Sequence, residues 1–260
     1  MLKILKYSFF DLVRSRWTYA YCAFYLLLTL SLLWLSNDLS NVIISLMNVI
    51  LVLVPLIATM FGIMYYYNSR EFTELLLAQP IPRRHIFLGQ YLGIAGSLAL
   101  SLIVGIGLPF LFYGIFASAE IWNYATILLV GVILSFIFSA IAFFVALKNE
   151  NRIRGFGIAI LLWLFFAIIY DGIFLLALAL LSDYPLENLA IGVSMFNPID
   201  LSRILILLKL DISALMGYTG AVFQQFLGTL PGLVTSFLVL LLWIVGPLWG
   251  IKLVAGRRDF

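Results

Sequence analysis

Long apolar runs separated by short charged connectors leave this chain one class of fold. Trp17–Leu35 is the first run, 19 residues without a charge. Val42–Tyr67 is the second. Ile86–Ala119 holds the third and Ile121–Leu147 the fourth, with Ser118, Glu120 and Trp122 marking a turn between them. Phe156–Leu181 is the fifth, broken by Asp171, and Pro231–Val254 is the sixth. A helix needs ~20 apolar residues to cross the hydrocarbon core. Lipid offers no partner to an open sheet edge, so the spans must be helices. The expected fold is an all-α polytopic membrane protein with six spans. A water-soluble enzyme is excluded, because 64% of residues are apolar and 10% charged, where soluble domains carry about 25% charge.

The cations set the orientation. Lys3, Lys6, Arg14 and Arg16 precede the first span, and Arg70, Arg83 and Arg84 stand between spans two and three. Lys148, Arg152 and Arg154 stand between four and five, and Lys252, Arg257 and Arg258 close the chain. Only Arg203 and Lys209 fall on the other side. The positive-inside rule then predicts both termini in the cytoplasm. A seventh span through 199–216 would bury Arg203, Lys209 and Asp211 and send Arg257 and Arg258 outside, so none is expected. Residues 1–16 read as an amphipathic interfacial helix, with Leu2, Leu5, Phe9, Leu12 and Val13 on its apolar face. Their charged run extends to Arg16 with no small-residue cleavage site after it, unlike a removable signal.

Catalytic signatures are missing from the sequence. It has no G-x-x-x-x-G-K-[ST] loop and no paired nucleophile for its one histidine, His85. One cysteine, Cys22, cannot make a disulfide framework. Met60 and Met64 share a face of span two, and Met195 and Met216 flank the outer segment. Cu(I) favours such ligands, but isolated methionines in membrane helices serve packing, so no metal site and no cofactor are expected on this chain. A transport subunit is the leading expectation. An intramembrane lipid-acting enzyme with Asp171 as its acid, or a passive anchor for an assembly factor, are the alternatives.

The connector 68–85 is the most informative stretch. Ser69 can cap a helix by accepting from a first-turn N–H, and Glu71 and Glu74 suit its positive end. Leu75, Leu76 and Leu77 follow, and Pro80 and Pro82 end the helix near Gln79. A short helix parallel to the membrane, with Arg83 and Arg84 at the headgroups, reads as a docking helix for a partner.

Here the chain resembles a family. Arg70-Glu71-x-x-Glu74-Leu75-Leu76-Leu77-x-x-Pro80-x-x-Arg83-Arg84, closed by Leu88-Gly89-Gln90-Tyr91, is similar to the first coupling loop of type-2 ABC transporter permeases. The resemblance covers essentially the whole chain as one permease domain. It implies a homodimer in the bacterial inner membrane, in contact with lipid and not with nucleic acid. It also implies a separate cytoplasmic ATPase that holds ATP and Mg, with Arg70, Glu71, Glu74, Leu75, Leu76, Leu77, Arg83 and Arg84 as coupling residues. Lys148, Arg152 and Arg154 would make a second cytoplasmic contact.

Within the spans, Gly89, Gly93, Ser97, Ser101 and Gly105 form a small-residue stripe that suits close packing inside the chain, as do Gly131, Ser135 and Ser139. Pro55 and Pro109 are expected to bend their helices. Asp171, at an insertion cost of about 2.5–3.5 kcal/mol, must face protein or a wet cavity, either in or near the translocation path or in a structural hydrogen bond to a Ser or Tyr on another helix.

Residues 182–230 form a long outer segment. Asn197 caps, Pro198 takes the first helical position and Asp200 the third. Leu201, Leu205 and Leu208 share a face with Arg203 displaced from it, and Asp211, Gly217 and Gly220 follow. Interfacial helices forming an outer gate or a periplasmic docking platform are expected. Phe196-Asn-Pro-Ile-Asp-Leu-Ser-Arg-Ile-Leu-Ile-Leu-Leu, followed by Ser213-Ala-Leu-Met-Gly-Tyr-Thr-Gly-Ala-Val-Phe223, resembles the outer loop of NosY-type permeases. That implies a NosF-like ATPase, a periplasmic NosD-like partner and a role in assembling the copper–sulfide centre of nitrous oxide reductase. Export of a drug, lipid or peptide by a relative of the same family is the alternative.

Overall fold

The computed structural model describes residues 1–36, 38–180, 187–210, 224 and 226–257. Helices α1 (Leu2–Val13), α2 (Arg16–Leu35), α3 (Leu39–Asn68), α4 (Arg70–Leu77) and α5 (Arg83–Phe112) come first. Then follow α6 (Ile121–Lys148), α7 (Arg152–Leu164), a π-helical turn (Phe165–Ile169), α8 (Tyr170–Leu180), α9 (Glu187–Met195), α10 (Pro198–Lys209) and α11 (Leu230–Arg257). No strand forms among the described residues. Among the described residues, six helices are long and apolar enough to span: α2, α3, α5, α6, the continuous Arg152–Ala177, and Pro231–Gly256 in α11.

The core is α3, α5 and α6, whose most apolar windows are 56%, 67% and 72% buried, against 6% for the fifth span and 11% for the sixth. Lipid tails are as apolar as leucine, so outward apolar side chains cost nothing and close packing decides which helices pair. Small residues provide that packing. A Cβ on Gly62 would lie 2.9 Å from that of Ala142, and one on Gly131 would lie 2.6 Å from a Leu102 methyl.

The α5 stripe works within the chain, as expected. Its basic end receives α1, with Gly89 against Ile4 and Gly93 against Ser8. Its middle receives α2, with Gly105 against Cys22 and Tyr25. This changes the reading of α1. Ile4, Ser8 and Leu12 are its buried residues, while Leu2 is 80% exposed. A glycine groove admits a narrow ridge of i, i+4 residues, and the small Ser8 fits where a larger side chain would not. Leu5, Phe9 and Val13 are half-buried, Phe9 beside Gly96, and Leu2, Tyr7 and Phe10 are exposed.

At the far end from the N-terminus, α9 and α10 stand before the last span. α10 is buried on nearly every side rather than on one face, because it packs among α3, α6, α9, α11 and the π turn. The joint Phe196-Asn197 lies beside the middle of α11, where Trp243 Nε1 donates to the Met195 carbonyl at 3.2 Å.

Candidate functional site

The chemistry-bearing residues collect at the two ends of the bundle. At the basic end, α4 forms across the connector and stops at Leu77. Ser69 does not cap it as expected. Its hydroxyl donates back to the Tyr65 carbonyl at 2.8 Å, closing α3, while its own carbonyl accepts from Thr73 N (2.9 Å) and Oγ1 (2.8 Å). With φ −92° and ψ 13° the backbone is already turning into α4, so the hydroxyl is more useful to the outgoing helix.

The inner face of α4 is fixed to its neighbours. Gln90 Nε2 of α5 donates to Thr73 Oγ1 at 2.8 Å, and both residues are buried. Leu76, 9% exposed, joins Ile4 of α1 and Ile86 of α5, with Phe72, Leu77 and Ile81 around them. Tyr7 of α1 stacks on Phe72 with ring centroids 4.7 Å apart. The outer face is open: Leu75 is 68% exposed, Glu71 is exposed, and Glu74 pairs with Arg70 at 3.1 Å in solvent. Such an exposed i, i+4 pair contributes about 0.3–0.5 kcal/mol. Arg83 and Arg84 begin α5, exposed beside the connector. The three leucines therefore divide, one to the core, one half-buried and one outward.

The second connector is tied to the first. Tyr67, at the end of α3, donates its hydroxyl to the Asn149 carbonyl at 2.8 Å, and Gly155 lies directly under its ring. Lys148 ends α6 and Arg152 begins α7. Asn151 caps α7, its Oδ1 accepting from Ile153 N at 2.9 Å and Arg154 N at 3.3 Å. The Arg152 guanidinium lies over the Phe156 ring, 5.7 Å from its centroid.

At the far end, Arg203 Nη1 bonds Asp171 Oδ2 at 2.7 Å and Asp200 Oδ1 at 3.1 Å, joining the fifth span to α10. Asp171 Oδ1 is buried with no hydrogen-bond partner among the described residues. One guanidinium thus serves two carboxylates. Asp200 lies on α10, outside the six spans. Burial first, then the charge and hydrogen bond of Asp171, push its carboxyl up to about 7, against the lowering pull of Arg203. Asn197 caps α10 through Oδ1, accepting from Ile199 N at 3.0 Å, and its Nδ2 donates to the Phe166 carbonyl at 2.9 Å. Pro198 sits at the helix start as expected.

Sequence reasoning missed what receives Asn197. Phe166 belongs to the π turn, which displaces carbonyls from the regular ladder and leaves them open to outside donors. Tyr170 then donates its hydroxyl to the Val193 carbonyl of α9. Gln90, Tyr67 and Trp243 were also missed. Gln90 carried a signal, being an amide inside an apolar run. Asp211, Gly217 and Gly220 lie outside the described residues.

Together these features define a polytopic membrane protein of the permease type, with polar machinery at both ends of an apolar core. The family description "ABC-2 family transporter protein" matches residues 35–250, and the chain belongs to that family. It is thus a permease subunit of an ABC transporter, a multi-pass inner-membrane protein, and the family implies an ATPase partner. Two curated relatives carry the name "Probable ABC transporter permease protein NosY". The one from Stutzerimonas stutzeri is 27% identical over 226 residues, covering 81% of this chain and 78% of the relative. The one from Pseudomonas aeruginosa is 25% identical over 223 residues, covering 80% and 81%.

Proposed function

We propose that this permease works as a NosY-like homodimer with both termini in the cytoplasm. A separate NosF-like ATPase docks on α4, and a periplasmic NosD-like protein docks at the α9–α10 end. In this reading the complex supports assembly of the copper–sulfide centre of nitrous oxide reductase, which agrees with the name borne by both curated relatives. The observation that carries the docking role is the division of α4 into two faces. Thr73 and Leu76 lock it to α5 and α1, leaving Glu71, Glu74 and Leu75 free for a groove on the ATPase. A push on α4 then passes into α5, and through Tyr67 the second connector, with Lys148, Arg152 and Arg154, moves with it.

At the other end, Asp171, Asp200 and Arg203 hold the fifth span to α10. This is the reading for the outer gate, with Asp171 beside the translocation path. Replacing Glu71 and Glu74 by Lys is expected to abolish co-purification of the ATPase with an otherwise folded permease. Leu75→Ala is expected to weaken co-purification without lowering thermal stability, whereas Leu76→Ala lowers stability by about 2–5 kcal/mol. Normal ATPase recovery with the double charge reversal would remove α4 from the interface.

A further inference from the structure

The outward side of α1 bounds a feature that the ATPase reading does not use. Where α1, the start of α2, the end of α3 and α4 meet there is a cavity of about 590 Å³. Its apolar wall includes Phe61 and Met64 of α3 and Trp17 of α2. A second, more open hollow of about 700 Å³ continues it along α1 past Lys3 and Lys6, and the two share Tyr7, Asp11 and Arg14. The result is one trough, greasy at one end and basic along its rim.

Its depth is fixed by the helices that form it. α2 begins at Arg16 and α3 ends at Asn68, so the trough lies where the apolar spans give out, at the headgroup layer. Trp17, 65% exposed at the mouth of the trough, is the kind of side chain that settles at that layer. The rim carries Lys3, Lys6 and Arg14 against one carboxylate, Asp11, leaving an excess of positive charge. Clustered cations on an interfacial helix attract anionic lipid. Here they sit beside a hollow large enough for the first part of an acyl chain.

We propose that this trough seats one anionic phospholipid of the adjoining leaflet, its phosphate on Lys3, Lys6 and Arg14 and its upper chain against Phe61, Met64 and Trp17. Phe72 of α4 also lines the cavity and stacks on Tyr7, so the bound lipid buttresses the helix that docks the ATPase.

The test is native mass spectrometry of the purified permease after exchange into phosphatidylglycerol, phosphatidylethanolamine or phosphatidylcholine. One phosphatidylglycerol per chain is expected to survive delipidation, and neither of the other lipids. Lys3→Gln, Lys6→Gln and Arg14→Gln together should abolish that retention. The same loss of charge on the second connector, through Lys148→Gln, Arg152→Gln and Arg154→Gln, should leave it intact. Met64→Trp fills the hollow without touching a charge and should also expel the lipid, which separates a seated molecule from diffuse attraction. Equal retention of phosphatidylcholine, equal loss in both triple variants, or undiminished retention in Met64→Trp would overturn the proposal. So would displacement of the lipid when the ATPase is added, which would assign the trough to that protein.

Discussion

Asp171 is the residue where cost and use meet most clearly. A lone carboxylate in a span is expensive, and Arg203 offsets that expense only in part, since it is shared with Asp200. Asp171→Asn is expected to preserve expression and assembly while lowering ATP-driven turnover, measured as ATPase rate and cellular function of the complex. Exchanging the pair, as Asp171→Arg with Arg203→Asp, should recover part of the loss if the bridge itself matters. Asp200 makes a separate prediction. Burial and the neighbouring Asp171 raise its carboxyl from an ordinary 3.8 to about 7 in the fold. Between those values the folded form keeps a proton that the unfolded form has released, so stability falls as pH rises through the window and the loss is complete above it. Thermal unfolding of Asp200→Asn is expected to lack that decline between about pH 4 and about pH 7. Asp171, Asp200 and Arg203 could each be picked from the sequence as charges in greasy surroundings. That they meet could not, because 32 residues separate Asp171 from Arg203 and only the packed position of α10 closes the gap.

At the scale of elements, span positions and the place of α4 were legible, since length and apolar content decide them. The capping of α4 was not. Ser69 has two helices to serve, and its hydroxyl went to the one ending, a choice settled by backbone angles that composition does not encode. The face of α1 was legible only in part, with Leu12 buried and Leu5, Phe9 and Val13 half-buried as expected but Leu2 exposed. Amphipathic patterns point to the largest apolar residues, but glycine grooves select small ones, and Ser8 took the contact. The π turn at Phe165–Ile169 left no sequence signature either; it follows Trp163, which donates to the Val52 carbonyl, and gives up the Phe166 carbonyl to Asn197. Deleting Ile168 would restore a regular helix, keep Asp171 on its present side and return the Phe166 carbonyl to the helix ladder, away from Asn197. The expected outcome is a folded fifth span with a loosened α9–α10 pair, seen as faster hydrogen exchange confined to residues 190–208.

For the whole molecule, the contrast in burial is the guide. The fifth and sixth spans keep almost none of their apolar windows inside one chain, while the third and fourth keep most of theirs. The proposed homodimer with one ATPase per permease is expected to run at a 2:2 mass when the complex is weighed in a detergent-corrected scattering experiment; a 1:1 particle with full activity would contradict the paired arrangement. The seat of α1 bears on how such a chain is made. α1 leaves the ribosome ahead of the spans, yet the glycines that hold it belong to the third span and follow only after two others have been threaded into the bilayer. Until then the arm has nowhere to rest but the membrane surface, and its outward Leu2, Tyr7 and Phe10 suit it to wait there. Docking of the arm is thus a late event in biogenesis, and any side chain grown at Gly93 would strand it on the lipid.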